Sequence, residues 1–196
     1  MREKAALIIV DVQNDFCPGG ALGVQSGDEI VPILNRYIDK FRAAGLRVIA
    51  TRDWHPKRTS HFKRYGGVWP DHCVQGSPGA AFHANLRLAS DIIVMSKGMG
   101  ADEDSYSAFH GKDESGTSLA EVLQGFGVER LFIGGLATDY CVKQTALDAL
   151  SQGFKVVVLR DAIRGVNLAP DDSEKALREM LAAGAVSLAS IDALSI

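Results

Sequence analysis

The chain has 196 residues, enough for one well-buried domain and short for two. With 46% hydrophobic and 23% charged residues and a formal net charge of −3, it reads as an ordinary soluble globular protein, with no electrostatic reason to expect nucleic acid or an anionic membrane as partner. Three cysteines, Cys17, Cys73 and Cys141, are too few and odd in number for a disulfide framework, so a reducing cytoplasm is the expected setting.

The first run, MREKAALIIVDVQ, is no secretory signal, because Asp11 and Gln13 interrupt its apolar stretch, and no later stretch has the length to span a bilayer. Its apolar part, 6–10, predicts a first strand. A helix is predicted over 28–44, where Ile30, Leu34, Tyr37, Ile38 and Phe41 share one face and Gly45 supplies the stop. A second strand follows at 47–51. Residues 52–90 then break the rhythm with clustered Gly, Pro, His and aromatic residues and no helical period. An irregular segment of that length inside a compact domain is either disordered or functional, and its two tryptophans and four histidines argue against disorder.

The third strand is predicted at 91–95. Ser118 and Glu121 form a capping-box pair that opens a short helix ending near Gly125. A fourth strand at 130–134, a helix over 142–152, a fifth strand at 155–159, a helix over 171–183 and a sixth strand at 185–189 complete the chain. The strand runs are nearly continuous in hydrophobicity rather than alternating, which favours a mainly parallel sheet covered on both faces. Strand–helix alternation of this kind predicts an α/β fold, a Rossmann-like three-layer α/β/α sandwich on a six-stranded sheet. Without an internal repeat or a linker-like shift in composition, a single domain over 1–196 is expected.

Ligands and catalysts of open parallel sheets gather beyond the carboxyl ends of the strands. Here strand one ends in Asp11, strand two in Asp53 with His55 after it, and strand three in Lys97, while strand four leads through GGLATDY to Cys141. Cys141 lies where a glycine-containing loop turns into a helix, so the helix dipole and Lys97 are expected to favour its thiolate and Asp11 to take its proton. Amides of the loop, from Ala137 and Cys141, can receive an oxyanion. Read singly, each residue has a plainer use: Cys141 as a buried structural thiol, Asp11 as a turn or cap group, Lys97 as a surface lysine. Together they form the set that a cysteine nucleophile needs.

Asp53 and His55, two apart on extended backbone, project to one side and can share a metal ion, with His72 of the sequence WPDHC as the natural third ligand. An Asp/His/His set leaves positions open for water or substrate and suits Zn²⁺, Fe²⁺ or Mn²⁺. His61 can be a fourth ligand or only a loop packer, and the sequence does not choose between the two. His83 and His110 show no partner pattern and are read as structural. Cys73 is a further metal-binding candidate, although its adjacency to His72 points the two side chains apart.

These segments also resemble a known family over almost the whole chain: the nicotinamidases, or pyrazinamidases, within the isochorismatase-like cysteine hydrolases. LIIVDVQNDFCPGGALGV carries the catalytic aspartate of that family at Asp11, TRDWHP two metal ligands at Asp53 and His55, GGVWPDHC the third at His72, KG the catalytic lysine at Lys97, and GGLATDYCVKQTALDAL the nucleophile at Cys141. The aspartate and nucleophile segments alone mark only the wider superfamily; D-x-H together with GGxWPxHC is sharper. One departure is Ser77, where threonine is frequent.

The resemblance implies an amidohydrolase that converts nicotinamide, and pyrazinamide too, to nicotinate or its analogue and ammonia through a cysteine thioester, in NAD salvage. It implies an oxyanion hole from Ala137 and Cys141 beside a cis peptide at Leu136–Ala137, and walls of Phe16, Trp69 and Tyr106 around the ring. It implies one divalent metal, zinc first, and a small-molecule partner, and it leaves a homo-oligomer open. Rival readings are a relative acting on isochorismate or a carbamoyl amide, and a non-enzymatic metal- or thiol-sensing protein on the same fold.

Overall fold

A computed structural model describes residues 4–103, 105–194 and 196. The first strand, β1 (Ala5–Val10), is buried along its whole length. Successive side chains of a strand point to opposite faces, and here both faces are covered. Ala5, Leu7 and Ile9 pack with Ile30, Leu34, Tyr37 and Phe41 of α1 (Ile30–Ala43), whereas Ala6, Ile8 and Val10 pack with residues of three later helices. Those helices are α2 (Leu119–Phe126), α3 (Lys143–Ser151) and α4 (Asp172–Ala182). Thus one helix lies on one face and three lie on the other, which gives the three layers.

The remaining strands are β2 (Arg47–Asp53), β3 (Ile93–Lys97), β4 (Arg130–Leu136), β5 (Lys155–Arg164) and β6 (Val186–Leu188). Their order across the sheet is β3-β2-β1-β4-β5-β6 and each pairing is parallel, so the expected mainly parallel sheet is parallel throughout. The chain leaves β1 with β2 on one side and β4 on the other. The crevice beyond the carboxyl ends of β1 and β4 is the topological switch point where such sheets bind ligands. Among the described residues, no helix is long and apolar enough to cross a membrane.

Several boundaries move from their sequence-based expectations for local reasons. The first helical turn expected from residue 28 is a 3₁₀ turn over Gly27–Glu29, and α1 follows from Ile30, where Pro32 falls in the first turn and costs no intrahelical bond. Gly45, at φ 70°, ends α1 in the left-handed conformation. The strand expected at 91–95 begins two residues later, because Asp91 is drawn out to Arg42 at 2.6 Å and the Ile92 N–H bonds back to the Ala89 carbonyl at 3.0 Å. β2 runs two residues past its expected end. These two shifts put Asp53 and Lys97 directly opposite each other in the β2–β3 register.

The end of β4 is set by Gly135. Its φ of 127° lies in the region open to glycine, the β4–β5 register shifts between Ile133 and Gly135, and a Cβ at this position would run into the backbone of Val10. The absent side chain lets β4 close onto β1 where both enter the crevice.

Candidate active site

Four strand ends meet in the crevice. Asp11 follows β1 with a left-handed backbone at φ 49°, a conformation that aspartate tolerates better than most residues. Lys97 is fully buried, with its ammonium 2.9 Å from Asp11 Oδ2, in contact with Asp53 Oδ1, 3.2 Å from the Ser105 carbonyl and 3.6 Å from Cys141 Sγ. Cys141 sits in a π-helical turn, Thr138–Val142, that runs straight into α3. The peptide between Leu136 and Ala137, just before this turn, is cis, as the family resemblance implied.

Burial and charge act in opposite directions at the sulfur. Burial pushes the Cys141 thiol well above its ordinary value, Lys97 only partly offsets that, and the carboxylates of Asp11 and Asp53 push it further. Against the sequence-based expectation of a thiolate favoured by helix dipole and lysine, burial and the two carboxylates raise the thiol. Burial also raises Asp11, against the pull of Lys97. Lys97 is opposed by burial but held well above its ordinary value by the two carboxylates, so it stays charged. For Asp53 burial works upward, yet Lys97 and His55 prevail and hold the carboxyl well below the usual range. The cluster at rest is a cation between two acidic groups beside a thiol, with Asp11 a stronger base than a free aspartate.

The second oxygen of Asp53 faces a group of histidines. The long loop returns to the sheet edge because His55 bridges in parallel to Val74, with its N–H on the Cys73 carbonyl at 2.9 Å, and this delivers His72. His55 Nδ1 lies 3.0 Å from the Gly98 carbonyl and His72 Nδ1 2.8 Å from the Pro70 carbonyl. A carbonyl only accepts, so both rings donate from Nδ1 and turn Nε2 toward Asp53. Those nitrogens lie 3.8 and 3.9 Å from Asp53 Oδ2.

His61 joins the group. One ring nitrogen each from His55, His61 and His72 lies within 4.8 Å of the other two, and the His55 and His61 rings stack at 4.6 Å. Burial pushes His72 down to about 4, so it is neutral and able to ligate. The buried His55 Nε2 has no hydrogen-bond partner in the protein. An orphaned lone pair that converges with other donors in the interior is costly unless something electron-poor meets it. Three imidazoles beside a carboxylate oxygen, with two rings oriented by backbone carbonyls, fit a divalent cation of the borderline class.

A cavity of about 250 Å³ opens onto both groups, at the small end of ligand sites. Phe16, Trp69 and Tyr106 line it, as does Ala137. Trp69 donates from Nε1 to the Tyr106 hydroxyl at 3.0 Å and meets Tyr140 edge-on at 5.3 Å. Every expected site residue thus borders this cavity or one of its two ionisable groups. Cys73 stays apart in role: its N–H is held by Asp15 Oδ2 at 2.7 Å, and it does not join the histidine group.

Sequence reasoning did not reach several residues. Tyr140 is a wall whose only signal was adjacency to Cys141. Val166 lines the cavity from the loop after β5, where Asp139 accepts its N–H at 2.9 Å and that of Asn167 at 2.8 Å. Gln13 clamps Asp53 by bonding both its carbonyl and its N–H at 2.8 Å.

Known proteins share the sequence and fold of this chain. A family model described as the isochorismatase domain matches residues 5–192. The nicotinamidase of Escherichia coli is 47% identical over 197 residues, covering 92% of this chain and 92% of that protein. The crystal structure of the pyrazinamidase of Pyrococcus horikoshii in complex with zinc superposes with a TM-score of 0.87 at 49% identity, over 94% of this chain and 98% of that one. A structure from L. infantum in complex with nicotinate superposes at 0.83 with 41% identity, over 94% of this chain and 92% of that one.

Proposed function

This chain belongs to the isochorismatase family, and on that premise we propose that it is a nicotinamidase: it hydrolyses nicotinamide, and pyrazinamide as well, to the acid and ammonia. The observation that carries the reading is one small aromatic cavity lined by Cys141, Asp53, His61 and His72, with Lys97 in reach of Cys141 and Asp53, Asp11 paired to Lys97, and His55 grouped with the other two histidines. Resemblance to enzymes of that activity over most of the chain supports it. The whole chain acts as one domain. Its three cysteines, all buried and free, suit work in the cytoplasm, within NAD salvage.

The reaction starts with Cys141 protonated. As the substrate carboxamide seats against the thiol, Asp11 takes the Sγ proton and the sulfur attacks the carboxamide carbon. The oxygen of that group becomes an oxyanion received by the amides of Ala137 and Cys141, each donor worth about 3 kcal/mol in such sites. Asp11 returns its proton to the departing nitrogen, ammonia leaves, and an acyl thioester remains on Cys141. Water then attacks the thioester with Asp11 again as base, which releases nicotinate and the thiol. Lys97 stays protonated throughout and compensates the charge that moves between Asp11 and Cys141.

Phe16, Trp69 and Tyr106 hold the flat ring by stacking and exclude water around it. Asp53, His55 and His72, with His61 as the fourth donor, would hold the divalent ion; zinc is the first choice, with Fe²⁺ or Mn²⁺ also fitting the donors. An ion held by these residues would supply a Lewis acid for the ring nitrogen.

The test is ammonia release from nicotinamide by wild type and Cys141→Ala, before and after chelation. Turnover by wild type, its loss in Cys141→Ala with the fold retained, and a fall on chelation are expected. Absence of turnover by metal-replete wild type would overturn the substrate assignment, and wild-type rates in Cys141→Ala would overturn the covalent route.

A further inference from the structure

We propose that Thr51 is a positioning residue for this reaction: its hydroxyl pins one oxygen of the Asp11 carboxylate so that the other is held toward Lys97 and Cys141. The inference rests on the reading of Asp11 as the base. Thr51 is fully buried in β2, beside the point where the chain leaves β1. Its Oγ1 donates to Asp11 Oδ1 at 2.6 Å, while the Asp11 N–H reaches back to the Thr51 carbonyl at 3.2 Å and to Oγ1 at 3.3 Å. Asp11 is thus bound to one residue through both its backbone and its side chain. That contact matters because its left-handed backbone has already left the regular ladder of β1.

The two oxygens of Asp11 then differ. Oδ1 is taken by the hydroxyl, whereas Oδ2 makes the 2.9 Å ion pair with Lys97, and a carboxylate oxygen of Asp11 lies within 4.8 Å of the Cys141 sulfur. The last torsion of an aspartate is soft and close to two-fold, so without a pin the carboxylate turns and its oxygens exchange. Proton transfer needs the accepting oxygen within hydrogen-bond reach and aligned, and a third group that orients the base is a recurring part of activated nucleophiles. Thr51 supplies that orientation from the neighbouring strand. The plainer use of Thr51, a β-branched side chain filling the sheet, calls for its methyl and not for its hydroxyl.

Two variants separate these uses. Thr51→Val keeps the shape and removes the donor; Thr51→Ser keeps the donor and removes the methyl. For ammonia release from nicotinamide, Thr51→Val should lower kcat about 10- to 100-fold while KM moves less than about 3-fold, the size expected for loss of a hydrogen bond to a charged group. Thr51→Ser should recover most of that loss, and single-turnover release with enzyme in excess should show the defect in the acylation step. Near-wild-type kcat in Thr51→Val, or equal loss in Thr51→Ser, would overturn the proposal in favour of packing. Should Thr51→Val not fold, Thr51→Ala replaces it: wild-type kcat in Thr51→Ala overturns the proposal, and loss restored by serine supports it. Asp11→Asn run alongside tests the underlying reading separately, because wild-type turnover in Asp11→Asn removes Asp11 as base whatever Thr51 does.

Discussion

Lys97 reaches the site fully buried, with a carboxylate on either side and a thiol ahead of it. Removing its charge leaves Asp11 and Asp53 facing each other in the interior. Breaking a buried charge network in this way costs about 3–5 kcal/mol, so Lys97→Met should lower the unfolding free energy by that amount in urea at neutral pH. The sign of its pH dependence follows from Asp11, which already lies above its ordinary value with Lys97 present. Without the lysine Asp11 rises further and Asp53 loses the cation that holds it down. A raised carboxyl weakens the fold once the pH is high enough to ionise it, so the deficit should shrink as pH falls toward the carboxylate range. A deficit that grows on acidification would contradict this account.

Residues of this kind were legible in the sequence because each is a charged or nucleophilic type at the end of an apolar run. Thr51 was not, since a threonine in a strand looks the same whether its hydroxyl is used or idle. The balance at Cys141 was only half legible for a related reason: the sequence displays Lys97 and the helix start, but not the burial and the second carboxylate that act against them.

At the scale of elements, the site depends on where strands stop. Gly135 lets β4 lie against Val10 just before the chain turns toward Cys141. Gly135→Ala adds a methyl where the Val10 backbone stands and forces alanine to a φ that only glycine adopts readily. We expect a loss of at least about 3 kcal/mol, seen as a lower midpoint in thermal unfolding, with amide turnover falling as well. A stability within about 0.5 kcal/mol of wild type would show that β1 and β4 have slack there. Hydrophobic runs located all six strands, and one apolar face together with cap residues and glycine stops located the four helices. The ends were less legible, since Asp53 and Lys97 are polar residues whose place inside strands is decided by their pairing with each other.

For the molecule as a whole, the donors Asp53, His55, His61 and His72 tie an irregular loop to the sheet edge. An ion bound there should act as a cross-link of the native state only. Zinc at about 100 times its dissociation constant stabilises a fold by about 2.7 kcal/mol, which in a chain of this length corresponds to a rise of roughly 5–10 °C in the midpoint of chelated protein. His72→Ala should lose most of that rise. A midpoint indifferent to zinc in the wild-type protein would sink the metal assignment independently of any activity.

The amino-acid sequence by itself determined the layered α/β architecture, because strands buried on both faces must be apolar at every position and the helices between them on one stripe. It also brought Asp11, Asp53 and Lys97 to one edge, because polar residues that end apolar runs have one sheet edge to occupy, and it marked Cys141, His55 and His72 as candidates to join them. Only the tertiary structure decided that His61 joins the other two histidines, that Thr51 holds Asp11, and that burial and two carboxylates bear on the Cys141 thiol. Each of these depends on distances between segments far apart in the chain and on the loss of solvent around them, and neither quantity is carried by the order of residues along one strand.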